Sequence, residues 1–170
     1  MSKNIILIIY GLPGVGKSSL IKELLNHYEF DCLQIDNIWD KCVSNHSYTL
    51  ENSKFVFKEL LQKIKKVMIK KQSLVVEGVF ASKSRLLEIR NIAKSHNYIF
   101  KSVLLIASEK EIKRRLVMKN KERKISSKNW NILKEKTDST SIADIVLCTE
   151  NKSQKNIVDL VISELELYEL

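Results

Sequence analysis

The sequence contains few of the residues that break or loosen a chain. Its 170 residues include one proline and four glycines, a composition that argues against flexible linkers and low-complexity segments. Three of the glycines, Gly11, Gly14 and Gly16, fall within one short stretch, and the fourth is Gly78. Backbone freedom is therefore concentrated at two places. The length predicts one domain, and the 44% hydrophobic content is enough for a buried core.

Cysteine and histidine are also scarce. Cys32, Cys42 and Cys148 form no C-x-x-C pair, and an odd number of widely spaced cysteines indicates reduced thiols in a cytoplasmic protein. The three histidines are scattered without the spacing of metal ligands. The apolar run at Ile5–Tyr10 is too short to span a bilayer and lacks a signal-peptide cleavage site. We therefore expect no membrane partner and interpret this run as a strand buried on both faces of a parallel sheet.

Acidic residues are outnumbered by basic ones. Lysine and arginine total 29 against 20 aspartates and glutamates, which gives a net charge of +9. This balance permits nucleic acid or another polyanion as a partner. It is equally typical of a chain in which lysine is the default solvated residue, and we favour that simpler interpretation. Binding of nucleic acid and the oligomeric state both stay open.

Predicted strands and helices alternate along almost the whole chain. The strands are predicted at 4–10, 30–35, 73–78, 99–107 and 142–148, and the helices at 17–28, 55–71, 82–98, 109–124, 126–138 and 153–168. This alternation predicts an α/β domain with a parallel sheet of about five strands. Ligands of such sheets bind at the carboxyl ends of the strands.

The segment Gly11–Ser18, "GLPGVGKS", fits the pattern G-x-x-x-x-G-K-[ST] at every fixed position. It lies between a predicted strand and a predicted helix, as a phosphate-binding loop should. The glycines let backbone N–H groups surround an anion, and the helix N-terminus adds positive potential. Lys17 is expected to reach the β- and γ-phosphates of ATP, and Ser18 to supply a hydroxyl to Mg²⁺. The residues expected to contact the nucleotide here are Gly11, Leu12, Pro13, Gly14, Val15, Gly16, Lys17, Ser18 and Ser19.

Acidic residues follow two of the predicted strands. Asp36 comes after strand 2 and could accept the proton of an acceptor hydroxyl, hold a Mg²⁺-bound water, or simply start a turn. Glu77 ends strand 3, where phosphate-loop proteins order their Mg²⁺, although the usual residue is aspartate. A strand-end glutamate paired with a lysine, for example Lys17, is an equally favoured interpretation, and the two are compatible. Trp39 could stack on a substrate ring or pack in the core.

Basic residues crowd the segment after strand 4, Lys113–Lys124. Arginines here, with Arg115 and Arg123 as candidates, could stabilise charge on a phosphoryl group in transfer, or could belong to a solvated helix face. The stretch "NKSQ" at 151–154 lacks the acidic residue that a guanine-reading motif needs at Gln154. We interpret it as a loop in which Ser153 caps the last helix.

Together these features resemble the small P-loop kinases, and most of all the polynucleotide-kinase-like and zeta-toxin-like branch with its AAA-type ATP-binding domain. The similarity implies a three-layer α/β/α fold over residues 1–170, with a small basic lid at about 113–138. It implies that Asp36 is the base, that Arg115 is the first lid arginine, that Arg85 positions substrate and that Asn151 lies against adenine. The sequence "DNIWD" departs from polynucleotide kinases, which often place an arginine after the aspartate.

Three functions are compatible with these patterns. An ATP-dependent phosphotransferase with Mg²⁺ and a hydroxyl-bearing acceptor is favoured, with Asp36, Trp39, Glu77 and Arg85 near the acceptor and with Ser18 and Glu77 at the metal. A nucleotide-driven switch would need the missing guanine motif. A basic nucleic-acid-binding module would make little use of the glycine loop. The acceptor itself cannot be read from the sequence.

Overall fold

The computed structural model describes residues 4–43, 49–79, 82–118 and 142–166. Its sheet contains five parallel strands in the order β2-β3-β1-β4-β5, as predicted for the fold class. The strands are β1 (Ile5–Tyr10), β2 (Phe30–Gln34), β3 (Ser73–Gly78), β4 (Ile99–Ile106) and β5 (Ile145–Cys148). All six residues of β1 are buried, because β1 is the central strand and helices cover both faces of the sheet.

Six helices accompany the strands within the described residues. They are α1 (Lys17–His27), α2 (Ile35–Cys42), α3 (Leu50–Ile69), α4 (Lys83–Ser95), α5 (Glu109–Met118) and α6 (Gln154–Glu166). Within the described ranges, none of them combines the length and the apolar composition needed to cross a bilayer.

Two hydrophobic clusters define the three layers. Alternate side chains of β1 point to opposite faces, so Ile6 and Ile8 join one cluster while Leu7 and Ile9 join the other. The first cluster contains the apolar faces of α2, α3 and α4, and the second contains those of α1, α5 and α6. The arrangement is the predicted α/β/α sandwich, with the sheet as its middle layer.

The main difference from the sequence prediction lies after β2. The strand ends at Gln34 and α2 begins at the next residue, Ile35, whereas no helix was predicted there. Asp36 therefore lies in the first turn of a helix rather than in a loop. The next helix, α3, begins at Leu50, five residues earlier than predicted, because the Oγ1 of Thr49 accepts a hydrogen bond from the N–H of Asn52 at 3.1 Å and caps it.

Other predicted helices end at different residues or lie outside the described part of the chain. The helix predicted at 82–98 ends at Ser95. The short helix predicted at 126–138, and the part of the predicted lid from residue 119 onward, lie outside the described residues. The part of the lid that is described, from Lys113 to Met118, continues α5 without a break.

The start of α2 is packed directly on Gly78. A β-carbon at Gly78 would lie 2.5 Å from Cδ1 of Ile35 and 3.1 Å from its Cβ. We predict that Gly78→Ala lowers the free energy of unfolding by about 1–3 kcal/mol, as overpacking does. Ile35→Val removes Cδ1, so the double variant should be more stable than the sum of the two single losses implies. Urea unfolding of the four proteins measures this, and strict additivity would contradict the packing argument.

Candidate active site

The phosphate loop joins the central strand β1 to α1. Gly11, Gly14 and Gly16 have φ angles of 145°, 85° and 107°, a region that side-chain-bearing residues rarely adopt. A β-carbon at Gly11 would collide with the carbonyl oxygen of Leu105 on β4, and one at Gly14 would lie 3.1 Å from Ile112 and Leu116 of α5. The loop is thus pressed between β4 and α5, and glycine is required for that approach.

Lys17 is the first residue of α1 and its side chain turns back under the loop. Its Nζ donates hydrogen bonds to the carbonyl oxygens of Gly11 at 3.1 Å and Leu12 at 3.2 Å. The residue is only 9% exposed, and burial lowers the pKa of the ammonium, while the charges of Glu77 and, to a smaller extent, Asp36 raise it. Both carboxylates therefore lie within electrostatic range of the same ammonium group.

Ser18 and Glu77 are in direct contact. The Ser18 hydroxyl donates to Oε1 of Glu77 at 2.8 Å, so the two residues predicted at the metal do meet. The Lys17 ammonium donates its hydrogen bonds to carbonyl oxygens, while Glu77 acts on it through its charge. The Ser18 hydroxyl and the Glu77 carboxylate are hard oxygen donors of the kind that Mg²⁺ accepts together with phosphate oxygens and water.

Two residues that hold Glu77 in place were missed from the sequence. Gln34 is paired in register with Glu77 across β2 and β3, and its Nε2 donates to Oε2 of that glutamate at 2.8 Å. Asn37 donates in turn to Oε1 of Gln34 at 2.7 Å. A chain of hydrogen bonds thus runs from Ser18 through Glu77 and Gln34 to Asn37, the neighbour of Asp36. Only the register of β2 on β3 could have revealed it.

The residues predicted around the acceptor occupy different settings. Asp36 is exposed and its charge acts on Lys17. Trp39, one turn further along α2, is 8% exposed and lies in the core cluster with Ile38, which agrees with the packing alternative. Arg85, the remaining residue predicted near the acceptor, lies on α4.

Arg85 connects α4 to α3. Its NH2 donates to the carbonyl oxygen and to the hydroxyl of Ser53, both at 3.0 Å, and its Cζ lies 4.9 Å from the ring centre of Phe57. Burial lowers the pKa of the Arg85 guanidinium, and the charge of Glu88 raises it. The arginine is therefore held in a defined place beside the N-terminal part of α3.

The Arg115 side chain contacts the backbone of the phosphate loop. Its Nε donates to Glu111 at 2.7 Å, its NH1 to Thr149 Oγ1 at 2.9 Å and to the carbonyl oxygen of Val15 at 3.3 Å, and its NH2 to the carbonyl oxygen of Thr149 at 2.8 Å. Thr149 is 3% exposed and directly follows β5. A polar residue at the carboxyl end of a strand was the signal that could have identified it. The other predicted lid arginine, Arg123, lies outside the described residues.

The loop after β5 reaches back to α1. Asn151 is exposed and has a φ angle of 57°. The Ser153 hydroxyl accepts from the N–H of Asn156 at 3.1 Å, which is the predicted cap of α6. The side chain of Gln154 donates to the carbonyl oxygen of Ser19 at 3.2 Å, so this amide bridges α6 to α1.

Ser108 and the loop after β5 together cap α5. The Ser108 hydroxyl accepts from the N–H of Glu111, and the N–H of Ser108 donates to Glu150 at 3.1 Å. The side chain of Glu111 instead holds Arg114 and Arg115.

A family model described as an AAA domain matches residues 6–138 of the 170. None of the curated proteins compared with the chain matches it.

Solved structures share the whole fold at low sequence identity. A kinase candidate from Chloroflexus aurantiacus j-10-fl is 15% identical, with a TM-score of 0.73 and 99% of each chain covered. The Mycobacterium tuberculosis APS kinase CysC, solved in complex with AMPPNP and APS, is 17% identical with a TM-score of 0.68, covering 98% of this chain and 99% of that one. A sugar kinase from Janibacter sp. HTCC2649 is 12% identical with a TM-score of 0.69, covering 96% and 95%. The chain therefore has the P-loop kinase fold.

The two carboxylates near Lys17 should affect its pKa unequally. We predict that Glu77→Gln lowers the pKa of Lys17 further than Asp36→Asn does, because Glu77 is the stronger of the two charges that raise it. Titration of the lysine ε-carbons by ¹³C NMR measures this, with Lys17→Met assigning the signal. The reverse order would contradict the electrostatic assignment.

The same pKa shift has a consequence for stability. Since burial lowers the pKa of Lys17 in the folded protein below its ordinary value of 10.5, the unfolded chain keeps this proton to a higher pH. The contribution of Lys17 to stability should therefore become more favourable as the pH rises from the folded pKa toward 10.5.

Proposed function

The chain belongs to the AAA domain family and has the fold of small P-loop kinases, and from that premise we propose that it is an ATP-dependent phosphotransferase. It moves the γ-phosphoryl group of ATP to a hydroxyl of an acceptor. The observation that carries the proposal is that a phosphate-binding loop and two carboxylates lie at the same edge of the sheet. The glycine loop with Lys17 lies at the end of β1, and two carboxylates, Glu77 and Asp36, act on the same ammonium from the ends of β3 and β2.

The donor side is suited to a magnesium nucleotide. The loop positions Lys17 at the first turn of α1, where the helix N-terminus favours anions. Ser18 and Glu77 would hold Mg²⁺, since both present oxygen atoms and already touch each other. When bound, Mg²⁺ neutralises charge on the phosphates during transfer. Gln34 holds the Glu77 carboxylate in place by donating a hydrogen bond to its second oxygen, Oε2.

Asp36 is assigned the base role on the acceptor side. The acceptor oxygen forms a bond to the γ-phosphorus while the bond from phosphorus to the β–γ bridging oxygen breaks and ADP leaves. The hydroxyl proton passes to the Asp36 carboxylate. This residue is exposed, so an acceptor can approach it. Its place in the first turn of α2 holds it at a fixed distance from the strand end.

The acceptor is proposed only as a hydroxyl-bearing compound. Arg85, anchored on Ser53, would contact it from the side of α4, while Trp39 would shape the pocket mainly by packing under α2. Because the solved kinases of this fold include one described with APS and one described as a sugar kinase, nucleosides, nucleotides and sugars come first in a screen. Antibiotic hydroxyls and polynucleotide ends follow.

We predict that the protein transfers label from [γ-³²P]ATP to at least one acceptor class in such a screen. Lys17→Ala should abolish nucleotide binding and transfer. Asp36→Asn should retain ATP binding and reduce transfer by about 10²–10⁴-fold, the usual contribution of a general base. Asp31→Asn is the matched control, because it removes a carboxylate from the opposite end of β2 and should leave transfer unchanged.

Two outcomes would contradict parts of this proposal. Unchanged transfer in Asp36→Asn would remove that residue from the base role. A strong preference for GTP over ATP, with hydrolysis and no transfer to any acceptor, would favour the nucleotide-driven switch instead.

A further inference from the structure

The guanidinium of Arg115 donates four hydrogen bonds to three partners inside the protein. Glu111 holds its Nε from the same helix, and Thr149 and Val15 take its two terminal nitrogens. Hydrogen bonds to Arg114 and Arg115 lower the pKa of Glu111 to about 2. This carboxylate is therefore ionised at neutral pH and keeps the planar guanidinium in one orientation.

The Thr149 side chain contacts the same loop carbonyl. Its hydroxyl donates to the Val15 carbonyl oxygen at 2.9 Å while it accepts from Arg115. The backbone N–H of Thr149 donates to the carbonyl oxygen of Ile106 at 2.8 Å, which fixes the residue against the end of β4. One carbonyl oxygen of the phosphate loop thus has two donors, from α5 and from the end of β5. We call Arg115, Thr149 and Glu111 the loop clamp.

The loop clamp decides which way one peptide unit of the loop faces. All peptide bonds of the described residues are trans, so the C=O of Val15 and the N–H of Gly16 point in opposite directions. With the carbonyl held toward Thr149 and Arg115, the Gly16 N–H faces away from both of these residues. A reversed peptide would present a carbonyl oxygen to the phosphates and repel them.

Nothing in the packing of Gly16 itself prevents that reversal. Its φ angle is 107°, and a β-carbon there would meet no atom within 4 Å. Glycine crosses between backbone regions at little steric cost. The two hydrogen bonds to the Val15 carbonyl oxygen oppose such a reversal.

We propose that Arg115 is a positioning residue for the donor phosphates, which together with Thr149 orients the Gly16 N–H through the Val15 carbonyl. The inference rests on the proposed function in that the loop takes the phosphates of ATP. It differs from the role expected from the sequence, in which Arg115 reaches the γ-phosphate itself.

Binding measurements test the proposal without any acceptor. Isothermal titration with AMPPNP, tripolyphosphate and adenosine is carried out on the full chain and on variants of the loop clamp. Arg115→Ala should raise the Kd for AMPPNP and for tripolyphosphate about tenfold, the size of one lost charge-assisted hydrogen bond. Adenosine carries no phosphate, so its affinity should fall much less than that of tripolyphosphate.

Thr149 provides the second variant and the rescue. Thr149→Val removes the hydroxyl and should weaken tripolyphosphate binding by about fivefold to tenfold, whereas Thr149→Ser keeps the hydroxyl and should restore it. The double variant Arg115→Ala with Thr149→Val should bind tripolyphosphate at most about twofold more weakly than the weaker-binding single variant does. Both substitutions act on one carbonyl, so their effects should not add. If Arg115→Ala folds poorly, the comparison of Thr149→Val with Thr149→Ser still tests the proposal.

Arg90 is the matched control. Its side chain is 25% exposed against 23% for Arg115, and it likewise pairs with a carboxylate, that of Asp144 just before β5. Arg90→Ala removes a comparable ion pair that does not touch the loop, so it should leave the Kd for tripolyphosphate within about twofold.

The failure of this inference is separable from the failure of the proposed function. If the unaltered protein binds neither AMPPNP nor tripolyphosphate, both are overturned. If it binds them and Thr149→Val binds equally well, or the two substitutions are additive, the loop clamp is overturned while the phosphotransferase proposal stands.

Discussion

The buried ammonium of Lys17 is the constraint to which the rest of the site is fitted. A cation that is 9% exposed loses most of its hydration, and the protein must replace that hydration with oxygen atoms and negative charge. The carbonyl oxygens of Gly11 and Leu12 supply the oxygen atoms. Glu77 and Asp36 supply the negative charge. The ends of β1, β3 and β2 therefore meet around one charge, which prepares the site for a polyanion.

Much of this could be predicted because the signals were local. The continuous apolar strands, the helical periodicity and the four fixed positions of the glycine motif each lie within a few residues of one another. They were sufficient for the five parallel strands and the three layers. The short helix α2 was missed because its eight residues carry a polar start and only two buried positions, Ile38 and Trp39.

What could not be predicted depends on partners distant in sequence. Gln34 reaches Glu77 only through the register of two strands. Arg115 could be assigned to the helix after β4, but its partner Val15 is 100 residues away along the chain. An arginine near a phosphate loop suits either a phosphate oxygen or a backbone carbonyl, and composition does not distinguish them. The roles of individual arginines thus needed geometry, whereas the fold needed only pattern.

The direct junction between β2 and α2 has a further consequence. No loop residue separates Gln34 from Ile35, so Asp36 is carried by the sheet and has little independent movement. A relative of this protein could change its acceptor by replacing side chains that face Asp36, but it could not easily relocate the carboxylate. The position of the Asp36 carboxylate would then stay constant across diverging members while the side chains that face it change.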